Sequence, residues 1–416
     1  MGQTVIEKII GAHTRDGAET GRIVWMDLDV RTARDFGGPN VVKNFNREYG
    51  HDPVHDPENT FFTFDLCVPA CSLKYADNQQ ICRNFAREKG FRVYDVDEGI
   101  GSHILMENGH AGSGKTVVGT DSHMNILGAV DCFGQGMGDV DITFAFRTGK
   151  AWFEVPDTVK VIVEGKPDPS SSAKDLTLFL LKEPGTKKAA LKSVEFVGDA
   201  VFNLSLAGRI TLCSMVTEMA GIVGFIPGAA SETAQQISEW KGGPWAPLLP
   251  DPDAQYAEVI HVDADGLQPQ AAVPFHPHNV QAVEDLRDVE INTGFIGSCT
   301  NGRFEDFAAA AKVLKGKRIK PGVSLKIVPS TRRVYAELLD KGIIAALFQS
   351  GAVIGNPGCG GCAEGHIGLT GEGEVQVSTG NRNFEGKQGK GRTYLASPEV
   401  VAASCLLGRL GTPEEL

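Results

Sequence analysis

Cys299 lies in Gly297-Ser298-Cys299-Thr300-Asn301-Gly302, and Cys359 and Cys362 lie in Gly358-Cys359-Gly360-Gly361-Cys362. Each group follows a short apolar segment with strand character, Phe295-Ile296 in one case and Ala352-Val353-Ile354 in the other. Three thiols on loops at the same edge of one sheet can converge, and the glycines around them let the backbone approach a bulky metal centre. Spacing alone leaves three chemistries open. A Cys-x-x-Cys pair suits thiol redox exchange, a fourth ligand would make a structural zinc site, and three thiols without a fourth suit an iron–sulfur cluster with one open iron. The chain has nine cysteines, at 67, 71, 82, 132, 213, 299, 359, 362 and 405. An odd number in a long chain argues against a secreted disulfide framework and for reduced thiols or metal ligation. The other six are expected to be buried small hydrophobes.

A second motif is Gly109-His110-Ala111-Gly112-Ser113-Gly114-Lys115-Thr116, which satisfies the phosphate-binding pattern G-x4-G-K-[ST]. Such a loop needs a helix after it, so that helix amides and the lysine hold phosphates. The residues that follow, Val117-Val118-Gly119-Thr120, are β-branched and glycine-broken, which predicts a strand instead. A glycine-rich connection is therefore the expected role, with a nucleotide enzyme as the competing one.

The elements that must position these loops are clearest after residue 291. Strands at 293–297, 325–328 and 351–355 alternate with helices at 305–314 and 333–349, a pattern that predicts an α/β domain with a mainly parallel sheet. Ligands of such sheets sit beyond the carboxyl ends of the strands. Earlier in the chain the patterning predicts helices at 78–89, 174–182 and 202–220. Strands are expected at 91–94, from 116, at 159–164 and at 257–262, with a Pro/Gly-rich linker at 240–253. No internal repeat or low-complexity segment is present.

Composition narrows the function. The 416 residues are 42% hydrophobic and 22% charged, which excludes intrinsic disorder. The length suggests two to three domains at roughly 100–200 residues each. With 52 acids against 40 bases, the net charge is −12, and the longest basic clusters, such as Lys315, Lys317 and Arg318, are short. A nucleic-acid coat is not expected of such a chain. If it handles small anions, it must concentrate its cations in a pocket. No apolar run approaches a membrane span, and the start lacks a signal core, so no membrane association and a cytoplasmic location are expected.

Taken together, several segments resemble the aconitase superfamily, specifically the large subunit of the isopropylmalate dehydratase type. They are Gly101-Ser102-His103, Val118-Gly119-Thr120-Asp121-Ser122-His123, Lys174-Asp175-Leu176, Arg209-Ile210-Thr211-Leu212 with Met215 and Glu218, the two cysteine loops, Ser378-Thr379, Asn381-Arg382-Asn383-Phe384 and Ala396-Ser397-Pro398. They run in family order along nearly the whole chain, with Cys-x59-Cys-x2-Cys spacing.

This resemblance implies three aconitase-like α/β/α domains, at 1–125, 126–285 and 286–416, around a central iron–sulfur site. It implies a [4Fe–4S] cluster on Cys299, Cys359 and Cys362, with one iron not ligated by protein, and a hydro-lyase acting on a malate-like 2-hydroxy dicarboxylate. The default substrate is 3-isopropylmalate; citramalate, 2,3-dimethylmalate, homoaconitate and maleate chemistry stay open, as does a cluster-bearing regulatory protein without hydratase activity. His103, Asp121, His123, Glu218 and Asp65 match catalytic positions. Arg382, Lys387, Ser122 and Asn301 match substrate-binding ones. The chain ends shortly after Ala396-Ser397-Pro398, so the family's swivelling domain, which supplies a catalytic serine, is expected on a separate small subunit, in a heterodimer or heterotetramer. Leu66 stands where the family has histidine, Lys387 where it has arginine, Met124 where it has threonine and Ser214 where it has asparagine, departures that imply a divergent member with a shifted substrate.

Overall fold

The computed structural model describes residues 2–362 and 366–416. Three largely parallel sheets organise the chain. The first runs in the order Arg92–Tyr94, Thr60–Thr63, Val30–Arg34, Thr116–Gly119, Phe133–Gly136, with every neighbour parallel. The second, also wholly parallel, runs Val223–Phe225, Ser193–Val197, Thr158–Glu164, Glu258–Asp263. The third has five parallel strands, Arg392–Leu395, Val375–Ser378, Thr293–Ile296, Ser324–Ile327 and Val353–Ile354, extended at one edge by antiparallel Gln270–Ala272 and Val280–Ala282. A small antiparallel ribbon joins Ile23–Asp27 to Lys150–Glu154. This is the expected α/β architecture with mainly parallel sheets.

The expected divisions at 125 and 285 do not follow sheet membership. Strand Phe133–Gly136 pairs with Thr116–Gly119 in the first sheet, and strands Gln270–Ala272 and Val280–Ala282 belong to the third. Cross-strand pairing decides this, and local patterning does not report it.

Helix boundaries follow caps. The helix expected from 78 begins earlier, as Leu73–Lys89, because Ser72 Oγ accepts the Tyr75 N–H at its start; Gly90 closes it at φ 76°. The helix expected over 202–220 is two helices, Asp199–Phe202 and Leu206–Met215: Ser205 caps the second by accepting the Gly208 N–H at 3.1 Å. That expected over 333–349 is broken at Gly342, whose φ of 73° separates Arg332–Asp340 from Ile343–Ser350. Residues 116–119 form a strand, and Lys115 Nζ donates to its own loop's carbonyls, Gly109 O and His110 O, at 3.2 and 3.0 Å. No helix opens behind the glycine-rich loop, so the phosphate-binding reading falls. Among the described residues no helix is long and apolar enough to cross a membrane.

The core carries one ionisable group in a left-handed turn. Asp131, at φ 58°, accepts the Leu248 N–H through Oδ2 at 3.1 Å, while buried Oδ1 has no hydrogen-bond partner among the described residues. Burial pushes its carboxyl up to about 7, against the pull of Arg209. A folded-state value above the unfolded one of about 3.9 means that its contribution to stability is full below that value and is lost as pH rises through 7. Asp131→Asn keeps a residue that tolerates the left-handed turn and cannot ionise. Its melting temperature relative to the unsubstituted chain is expected to climb between pH 4 and 7 and level off above; a difference that stays flat with pH would contradict this assignment.

Candidate active site

The residues singled out from sequence collect just beyond the carboxyl ends of parallel strands from two sheets. In the first sheet, Val30–Arg34 ends on Arg34 and leads to Asp35, Thr60–Thr63 leads to Asp65, and Thr116–Gly119 leads to Asp121, Ser122 and His123. In the third, Thr293–Ile296 leads to Cys299, Val353–Ile354 to Cys359 and Cys362, and Val375–Ser378 to Arg382 and Lys387. Glu218 arrives from the chain after helix Leu206–Met215. A cavity of about 970 Å³ opens there, lined by Cys299, Cys359, Cys362, Asp121, Ser122, His123, Arg382 and Lys387. Among the described residues, Arg34, Lys74, Arg382 and Lys387 line it against the single carboxylate of Asp121, so the acidic chain does gather cations at one place.

Two ionic networks organise the walls. In one, Glu218 Oε1 accepts from His123 Nε2 at 3.1 Å and from Arg382 Nε at 2.7 Å, and the Arg382 guanidinium reaches Ser122 Oγ at 3.5 Å. The acceptor carboxylate places a proton on His123 Nε2 and leaves Nδ1, 3.4 Å from Ser122 Oγ, as the basic nitrogen. In the other, Arg34 bridges buried carboxylates: its Nη2 is 2.6 Å from Asp65 Oδ1 and its Nη1 is 3.1 Å from Asp121 Oδ1. Arg34 Nη2 also donates to Cys359 Sγ at 2.8 Å. Burial beside Asp35 and Asp121 pushes the Asp65 carboxyl up to about 7, with Arg34 pulling the other way. Burial likewise pushes the thiols of Cys299, Cys359 and Cys362 up.

The cysteine loops are held by backbone that needs their glycines. Gly297 has φ 152°, and a Cβ there would lie 2.5 Å from Val328 O; Ser298 follows at φ 71°. Asn381 Oδ1 gathers this loop, accepting from Ser298 Oγ at 3.3 Å and from Thr300 Oγ1, while its Nδ2 donates to Ser214 Oγ at 2.8 Å.

Three expected site residues are placed differently. Asn301 turns away from the cavity, donating to Thr211 Oγ1 at 3.2 Å and Asp306 Oδ1 at 2.9 Å, because Asp306 caps the next helix and needs donors. His103 is wholly buried: Nε2 donates to Cys299 O at 2.9 Å, and Nδ1 accepts from Arg303 Nη1 at 3.2 Å. Burial and Arg303 push it down to about 3, so it stays neutral. Asp65 does not line the cavity, because Arg34 and the Gly101 N–H, at 3.0 Å, take its oxygens. Sequence reasoning missed Arg34, Asp35 and Asn381. The available signal was a charged pair at the end of a strand, Arg34-Asp35, in an acidic chain that had to supply cations. Among the described residues no three His, Cys, Asp or Glu side chains are grouped as ligands for one metal ion.

The aconitase family (aconitate hydratase) matches residues 7–287 and 279–408, and the chain belongs to that family. The relatives it resembles along its whole length are dehydratase large subunits. It is 41% identical to a probable 3-isopropylmalate dehydratase large subunit of Methanothermobacter thermautotrophicus, over 100% of both chains, and 39% identical to a 3-isopropylmalate dehydratase large subunit of Methanopyrus kandleri, over 99% of both. The fold also resembles the crystal structure of Thermococcus kodakaraensis aconitase X, at TM-score 0.51 and 14% identity over 85% of this chain and 83% of that one. The chain is accordingly an enzyme of the hydro-lyase class, of the aconitase and isopropylmalate dehydratase type.

Proposed function

We propose that the chain, completed by a separate small subunit, catalyses reversible loss and addition of water on a malate-like 2-hydroxy dicarboxylate, with 3-isopropylmalate as the default substrate. The observation that carries this is a single cavity in which three cysteine thiols face a cationic wall and a carboxylate-bound histidine. The donor set fits an iron–sulfur cluster better than one ion. In a [4Fe–4S] cluster each thiolate would hold its own iron, so three cysteines from two loops suit it without a fourth ligand. Cys299, Cys359 and Cys362 would hold it, and when bound it would supply Lewis acidity toward the substrate hydroxyl.

The remaining steps belong to the chain's own side chains. His123 Nδ1 is the atom that takes or gives the hydroxyl proton, its tautomer held by Glu218. Arg382 is tied through Nε, which leaves its terminal nitrogens to meet a substrate carboxylate, with Ser122 beside them and Lys387 as a second cation. Asp65 positions Arg34, and His103 supports the Cys299 carbonyl; neither touches substrate. The proton at carbon is left to the small subunit.

Leu66 lines the cavity where an imidazole would be polar, and it favours a substrate with an apolar substituent. Leu66→His is expected to shift kcat/KM from branched toward short dicarboxylates by about tenfold, on the scale of one methylene-sized apolar contact or more. Equal turnover across both classes would count against it. The test of the whole assignment is anaerobic co-expression with a small subunit, iron and sulfide analysis, and a hydration screen over unsaturated dicarboxylates. Failure to retain iron after reconstitution would overturn the cluster, and retention with no hydration of any dicarboxylate would overturn the reaction.

A further inference from the structure

Two thiols beyond the three already described face each other at the rim of the cavity. The Sγ atoms of Cys67 and Cys71 are 3.6 Å apart, and the Cys71 backbone N–H donates to Cys67 Sγ at 3.2 Å. Cys67 is buried, whereas Cys71 is exposed and lines the cavity. The Cys67 backbone is pinned: its N–H donates to Asp35 Oδ2 at 3.4 Å, and its carbonyl accepts from Gln79 Nε2 at 2.9 Å. Cys71 sits one residue before Ser72, the cap of a helix whose first turn is exposed. A disulfide needs its sulfurs about 2.05 Å apart, so the pair must close by roughly 1.5 Å. Cys71 is the exposed member of the pair, and Cys67 the buried one.

The geometry points to Cys67 and Cys71 as a reversible dithiol–disulfide pair, oxidised by hydrogen peroxide at the cavity rim. The Cys71 sulfur attacks one peroxide oxygen and the O–O bond breaks. The departing hydroxide leaves as water with the thiol proton, and Cys71 becomes a sulfenic acid. The Cys67 sulfur then attacks the Cys71 sulfur, the S–O bond breaks, and the oxygen leaves as a second water with the Cys67 proton. Two thiols lose two electrons and two protons, and one peroxide becomes two waters. The order follows from exposure: the oxidant reaches Cys71, and Cys67, raised by burial, is the resolving thiol. Leu66 precedes this pair, and Lys74 and Tyr75 follow it on the same cavity wall, so the bond tethers one side of the substrate entrance.

The test reads the bond itself and does not depend on the cluster or on the proposed reaction. The full chain is exposed to hydrogen peroxide, alkylated and digested with trypsin; the peptide 48–74 contains only these two cysteines. The expected product is that peptide lighter by two hydrogens, carrying no alkyl label and restored to two labelled thiols by dithiothreitol. Cys67→Ser should leave a sulfenic acid on Cys71 that dimedone traps, and Cys71→Ser should abolish the light peptide. Two fully alkylated thiols after treatment, or sulfinic acid on Cys71 of the unsubstituted chain with no light peptide, would overturn the assignment.

Discussion

Glu218→Gln is expected to lower kcat for dicarboxylate hydration by about 10²–10⁴, the range that positioned proton transfer contributes. One oxygen, Oε1, accepts from both His123 Nε2 and Arg382 Nε. A glutamine oxygen has the lone pairs to meet both donors, but it is neutral, so the charge that pairs with Arg382 and favours a protonated His123 is lost. If its amide donates to Nε2, His123 takes the other tautomer, and the proton moves to the nitrogen that should face substrate. Because Arg382 loses its ion pair as well, KM should rise in the same variant. Arg382→Lys separates the two effects: the charge stays and the planar fork is lost, so KM should rise more than kcat falls. Steady-state kinetics on the chain co-expressed with a small subunit decide this, and a Glu218→Gln enzyme with unchanged kcat would remove His123 from proton transfer.

Arg34→Leu is expected to be among the most destabilising single changes in the chain. It strips the guanidinium from buried Asp65 and Asp121, whose side chains are 0% and 5% exposed, and breaking such a buried pair costs about 3–5 kcal/mol. Burial opposes the charge on Arg34, and the two carboxylates outweigh it, holding the group well above its ordinary value. Arg34→Lys restores one positive charge but not contact with Asp65, Asp121 and Cys359 at once, so it should recover only part of the loss. Thermal unfolding of the isolated chain without iron gives the readout, independent of catalysis. A melting temperature unchanged in Arg34→Leu would show that the two carboxylates do not need this partner.

The dicarboxylate assignment and these predictions share one electrostatic fact. The chain is acidic overall, yet among the described residues the cavity is lined by Arg34, Lys74, Arg382 and Lys387 against one carboxylate. Arg34 and Arg382 are both engaged by acids, and Lys387 adds charge close enough to pull the Cys362 thiol down against its burial. Dianion binding is therefore expected to weaken with salt less steeply than at an open surface patch, because buried pairs are screened less.

The strand–helix alternation after 291 was visible because apolar periodicity is local, and so were the glycine-flanked cysteine loops. The breaks at Ser205 and Gly342 were not, because a cap or a left-handed turn interrupts a helix without interrupting its apolar pattern. His123, Glu218, Arg382 and the three cavity cysteines were named from motifs and do meet in space. Asn301 was named from the same motifs and points elsewhere, since which partner an amide finds depends on a neighbouring cap, Asp306.

Local apolar periodicity determined the α/β class by itself, and the ordered motifs carried the family resemblance and named most of the chemical groups. Only the tertiary structure decided that Arg34 holds Asp65, Asp121 and Cys359 together, that His103 props a cysteine loop, and that Cys67 and Cys71 meet at the rim. Arg34 and Cys359 are 325 positions apart. Contacts of that range are set by how sheets pack against one another, and no local pattern encodes them.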